Sequence, residues 1–228
     1  KEFINQYIDY FYTISVDPNK VNRVLLNQVN YADSCDFNNI NVFCVPKFTN
    51  TIDNKMPDYL SPAFKNLLVD SVEDLKTVCA EVVPRDPIYI AYKLGISNTQ
   101  NIRQSIADSC KLVVVRENNN KIQKDTLKLR VTNIIKEFFD PANNSLGQSI
   151  YLSTLTADIL SIVGVKNIYT LNTSENTRFD GISFVQWNPM YPEDDISILN
   201  QDTTLPFYKF PYLAYPQSIS NYIEVVDE

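Results

Sequence analysis

Few residues in this 228-residue chain combine the type and spacing that chemistry needs. Glu193-Asp194-Asp195 is the densest acidic cluster. Two suitably separated carboxylates could hydrolyse a glycosidic bond or hold a cation, which makes a carboxylate hydrolase using Glu193 or Asp195 the enzyme alternative. Directly after Pro192, the same triplet reads more simply as a solvated turn. The chain has no histidine, so it can form no Ser-His-Asp or Cys-His pair and offers no imidazole base or histidine metal ligand. Its four glycines build neither a G-x-x-x-x-G-K-S/T phosphate loop nor a G-x-G-x-x-G turn.

Cys35, Cys44, Cys79 and Cys110 are widely spaced without a C-x-x-C pair, whereas thiolate zinc sites need close ligand pairs. Four cysteines could form two bridges in an oxidising compartment. Without a secretion signal they read as buried free thiols. Asn143-Asn144-Ser145 and Asn172-Thr173-Ser174 match the glycosylation pattern, as an Asn-rich chain will by chance. The sequence therefore predicts no enzyme, no catalytic, metal or cofactor-binding residues, and no cofactor.

Composition narrows the partners. The net charge of −7 argues against nucleic acid, whose phosphates demand clustered Lys and Arg. The basic stretch Lys121–Arg130 reads as the solvated face of a helix. No apolar run approaches the ~18 residues of a membrane span, and Lys1–Tyr7 has neither the apolar core nor the cleavage site of a signal peptide. The absent initiator Met suggests a fragment of a longer chain. With 44% hydrophobic residues a sizeable core can form. Fourteen tyrosines and twelve phenylalanines beside only four glycines suit a rigid, contact-rich scaffold.

The elements that would carry such a scaffold follow from periodicity. Residues 8–16 alternate as a strand, and Asp17-Pro18 opens a helix reaching Gln28. Asn41–Val45 is a short buried strand. Ser61-Pro62 caps a helix carrying Phe64, Leu67, Leu68, Val72 and Leu75, and Val78–Val83 is a strand ended by Pro84. Pro84-Arg85-Asp86-Pro87 reads as a domain joint. Beyond it come a strand at Ile88–Ile96, a short helix at Thr99–Ser109 and a strand at Leu112–Val115. A helix bearing Leu127, Val131, Ile134, Ile135 and Phe138 stops at Asp140-Pro141. A further helix carries Leu152, Leu155, Ile159 and Ile162, with Gly164 as its left-handed cap. Strands at Val165–Leu171 and Ile182–Trp187 complete the unit.

The predicted class is α+β: two small mixed-sheet units with helices packed on one face, residues 1–84 and 85–187, plus a long extended arm over 188–228. Five of the twelve prolines lie between Pro189 and Pro216 of that arm, interleaved with aromatic rings. A segment so long without helical periodicity is functional or disordered, and its rings argue against disorder. It is expected to lie on a neighbouring subunit through Phe207, Phe210 and Tyr212 and to end in a strand at Tyr222–Val226. Truncation at Asn188 is expected to leave both α+β units folded.

Residues 145–171 resemble the closing motif of the baseplate J family: Leu-Gly, an amphipathic helix after a Ser-rich turn, then Gly-Val and a strand. Leu146, Gly147, Leu155, Ile159, Gly164 and Val165 fill those places. The preceding elements follow the family's order over about residues 21–173. The Asn- and Tyr-rich composition and the tail after Trp187 are most similar to a wedge subunit of contractile phage tails. The resemblance implies a non-enzymatic virion component of the tail baseplate, self-associating in pairs, joined into a ring around the hub and touching other wedge proteins. It implies no membrane and no nucleic acid partner. The chain departs from shorter members by the insert near 99–109 and by the arm. A surface module that binds a receptor or glycan through its aromatic arm is the alternative reading. In the assembly reading, Pro84–Pro87 is expected to be a joint between units that shift when the tail contracts.

Overall fold

The computed structural model describes residues 8–15, 39–46, 58–73, 81–94, 110–118, 121–172, 177–190 and 197–228. The protein is α+β, with three α-helices and mixed sheets among these residues. The expected helices at Asp17–Gln28 and Thr99–Ser109 fall outside them, as do Cys35, Cys79 and Glu193-Asp194-Asp195. None of the helices is long and apolar enough to cross a membrane.

The chain divides between Pro87 and Ile88 into two compact units. In the first, β2 (Asn39–Pro46) is central, antiparallel to β1 (Ile8–Ser15) and parallel to β3 (Glu81–Arg85). Helix α1 (Pro62–Val72) starts where Ser61-Pro62 places it: the Ser61 hydroxyl accepts the Phe64 N–H at 3.4 Å, and proline fills a position that needs no donor. Val42, Cys44, Leu60 and Leu68 form the core, with Ile40, Phe64 and Val82 around them. On β2, Asn41 is also buried and accepts from Arg85 Nε at 3.0 Å. The strand expected to end at Pro84 instead runs through it. β3 is an edge strand, the place in a sheet where a residue without an N–H is tolerated.

The second unit has two four-stranded mixed sheets. One has the order β10 (Ser197–Leu199), β9 (Phe184–Trp187), β4 (Ile88–Leu94), β12 (Lys209–Leu213). The other runs β13 (Ile223–Asp227), β5 (Cys110–Arg116), β7 (Val165–Asn172), β8 (Thr177–Asp180). A ribbon pairs β6 (Ser149–Ile150) with β11 (Thr203–Thr204). Helices α2 (Lys124–Phe138) and α3 (Leu152–Leu160) bury Leu127, Val131 and Ile135, and Leu152, Leu155 and Ile159. These meet Leu112 and Val114 of β5 and Ile90, Tyr92 and Leu94 of β4 in one core. At its centre Tyr92 stacks on Phe139 at 5.2 Å, and Phe139 meets Phe184 edge-on at 5.1 Å. Burial pushes the Tyr92 phenol well above its ordinary value.

Within this unit the C-terminal arm is extended but not free. Between Ser197 and Asp227 it gives a strand to each of the three sheets: β10 beside β9, β11 beside β6, β12 parallel to β4 and β13 parallel to β5. Leu199, Leu205, Leu213, Ile219 and Ile223 enter the shared core. The carbonyl of Tyr208 and the N–H of Ala214, which flank β12, bond to β4, so the even-numbered residues between them turn their backbone groups to that strand. Pro211 falls on the outward-facing set, where a strand edge gains from having no donor to offer.

Candidate assembly site

The six motif residues hold a folded turn–helix–strand module. Leu146 is buried, and Gly147 follows with φ +67°, a left-handed conformation that favours glycine. Its N–H donates to the Lys209 carbonyl at 3.0 Å, and the Leu205 N–H donates to the Gln148 carbonyl at the same length. The arm therefore brackets the turn on both sides. A Cβ on Gly147 would lie 2.7 Å from Phe207 Cα, so the close approach requires a bare backbone. Leu155 and Ile159 point from α3 into the core, where Val165 joins them at the start of β7. Gly164 has φ +96° and accepts the Glu117 N–H at 3.0 Å. It sits three residues beyond the helix's C-cap, Ser161, rather than next to it, so it turns the chain into β7 after the helix has ended.

The three expected anchors are placed differently from the sequence expectation. Phe210 is completely buried and Tyr212 nearly so, both with ring edges on Tyr89 at 6.1 and 6.2 Å. The cause is the parallel register, which sets Phe210 opposite Tyr89 and Tyr212 opposite Ala91 on one face of the sheet. These two rings are used inside their own unit and do not stand free for a neighbour. Phe207 is half-buried and meets Tyr208 edge-on at 5.2 Å.

No family model matches this sequence, and neither does any curated protein. Among solved structures, a chain of the anti-feeding prophage (AFP) baseplate, determined by cryo-EM with 6-fold symmetrisation, aligns over 92% of this chain at 12% identity and a TM-score of 0.45. This chain spans 35% of that one.

Several residues that fix the site escaped sequence reasoning because their partners lie far along the chain. The N-cap of helix α3 is Tyr151, whose side chain makes no capping hydrogen bond. Asp202 from the arm does that work, accepting the Ser153 N–H at 2.9 Å and its hydroxyl at 2.6 Å. The Ser153 hydroxyl and then the backbone donors hold the Asp202 carboxyl below its ordinary value. Lys93 is buried on β4 with its ammonium 4.6 Å from the Tyr222 ring centre and 5.7 Å from that of Tyr215. Tyr215, with φ +57°, forms the corner between β12 and β13.

Strand β13 closes the unit by charge as well as by register. Glu224 pairs with Lys111 at 3.2 Å, and Asp227 with Arg116 at 2.6 Å and Lys124 at 2.7 Å. Glu228 pairs with Lys166. The Lys124 contact first, then Arg116, keeps the Asp227 carboxyl below the usual carboxylate range. Among the described residues no group of three or more His, Cys, Asp or Glu side chains is placed to hold a metal ion.

Proposed function

We propose that this chain is a structural part of a contractile-tail baseplate: the C-terminal portion of a large wedge subunit of the T-even type. In this reading it self-associates, contacts other wedge proteins and helps to link wedges into a ring around the hub. Its place is the virion tail, after assembly in the host cytoplasm, and it performs no catalysis. The resemblance of residues 145–171 to the baseplate J closing motif supports the reading.

One observation carries it furthest. The Leu146-Gly147 turn is bonded to the arm at Lys209 and Leu205, so the motif and the C-terminal strands form one cross-braced block. A subunit that holds a ring together under load needs rigid blocks of this kind, with connections distributed over several sheets.

Co-expression with candidate wedge proteins, followed by sizing with light scattering, tests the proposal. The expected result is a dimer or larger species that elutes with at least one wedge partner. A monodisperse monomer that ignores every tail protein would sink it.

A further inference from the structure

We propose that β1 is the strand through which two copies of this chain pair, edge to edge and antiparallel. The inference rests on the self-association in the reading above and names the surface that makes it.

An unpaired sheet edge presents a row of N–H and carbonyl groups that will take another strand. Folded chains blunt such edges with prolines, charges or short strands. Five of the six outer strands of the three larger sheets carry one of these devices. Pro84 lies on β3 between Glu81 and Arg85, and Pro211 lies on β12. Strand β8 carries Arg178 and Asp180, β13 carries Glu224 and Asp227, and β10 is three residues long. The sixth is β1. At eight residues it is the longest of them, it has no proline and no basic residue, and among the described residues its outer side pairs with no strand. Ile8, Tyr10, Phe11, Tyr12, Thr13 and Ile14 are of the aromatic and β-branched types that favour strands.

The register points to a second copy as the occupant. The irregularity against β2 falls between Ile8 and Tyr10, so the one charged residue, Asp9, stands at the bulged end. Residues 10–15 are a regular, uncharged run. A two-fold axis normal to the sheet and centred on Tyr12 puts Tyr10 opposite Ile14, and Phe11 opposite Thr13, of the other copy. Each flanking position then sets an aromatic residue against a β-branched one, a pairing that stabilises antiparallel strands. An acidic or basic partner strand would find no charge along that run to recognise it. The far edge of the joined sheet is β3, where Pro84 and its flanking charges stop further growth. Pairing therefore closes at two copies instead of running on into a fibre.

The test is amide hydrogen exchange by NMR on the whole chain, over a concentration series whose association state is read by sedimentation. In the dilute monomer alternate amides of β1, those turned away from β2, should exchange freely. In the dimer they should slow about tenfold or more. The amides of Phe11 and Tyr12 point to opposite sides, so one of Phe11→Pro and Tyr12→Pro removes a donor that β2 does not use. That proline variant should dimerise about tenfold or more weakly than the alanine variant at the same position, which keeps the N–H. If the chain dimerises while the β1 amides keep one rate and proline acts as alanine does, β1 is not the contact, and the assembly reading stands without it. Outward amides already protected in the dilute monomer, or protected only on adding a wedge protein, would also overturn pairing with a second copy and leave assembly untouched. A chain that stays monomeric overturns the proposal, and the assembly reading falls with it only if the chain also ignores every tail protein.

Discussion

Gly147 and Phe207 meet backbone to backbone: a Cβ on the glycine would fall 2.7 Å from Phe207 Cα. The residues lie sixty positions apart in the sequence, yet this contact seats the closing-motif turn on the C-terminal arm. Alanine at 147 would suffer twice, from the left-handed φ of +67° and from the missing space. Gly147→Ala should cost about 2 kcal/mol or more, lowering the melting temperature by roughly 5 °C. A melt that matches the wild type would show that the turn relaxes freely.

The same contact revises what truncation at Asn188 should do. Removing residues 188–228 deletes both parallel edge strands and strips Leu213, Ile219 and Ile223 from the core and Phe210 from beside Tyr89. Four such side chains at about 1.5–3 kcal/mol each approach the whole stability of a typical domain. The truncated chain should lose the second unit altogether, seen as collapsed amide dispersion for residues from Ile88 onward. Retention of native dispersion there would mean the arm is dispensable to folding.

Local patterns were readable where one element carried its own signal. Ser61-Pro62 marked the start of α1, and the apolar stripes of α2 and α3 fell where their spacing put them. Tyr89, Ile90, Ala91 and Tyr92 are all buried because β4 is central and packed on both faces, a run that alternation alone would not suggest. The arm's place in the sheets is hidden in its sequence for a related reason. Its strands are only two to five residues long and draw their definition from β4, β5, β6 and β9 rather than from their own periodicity. Proline and aromatic content therefore looked like a surface-seeking tail. Asp202 was illegible as a cap because its helix starts fifty residues earlier.

Cys44 should be inert in the folded protein. It is fully buried, with its Sγ 3.6 Å from the Val42 carbonyl, and burial pushes its thiol from 9.0 up to about 12, against a smaller opposing pull from Lys65. At pH 8 the native thiol should resist labelling by a disulfide reagent and react only after denaturation. The linkage has a sign. Above pH 9 the unfolded thiol releases its proton while the folded one keeps it, so stability should fall as pH rises from about 9 towards 12. Cys44→Ala should flatten that slope, measured by denaturant midpoints across the range.

Asp202 gives the opposite dependence at the acid end. Its carboxyl is held below 3.8 by the Ser153 donors, so the folded state favours the ionised cap. That stabilisation is present above the ordinary carboxylate range and is lost as pH falls through the lowered value. Removing the carboxyl with Asp202→Ala should leave Ser153 N–H without its acceptor and loosen the first turn of α3, lowering the melting temperature at neutral pH. The variant should lose less stability than the wild type on acidification, since one linked proton is gone. Asp202→Asn separates the two contributions: its amide oxygen can still accept from Ser153 N–H, so it should recover part of the cap while remaining insensitive to acid. If all three proteins lose stability in parallel between pH 4 and pH 2, the arm does not hold α3 through this carboxylate, and the brace between motif and arm reduces to the Gly147 and Gln148 backbone bonds alone.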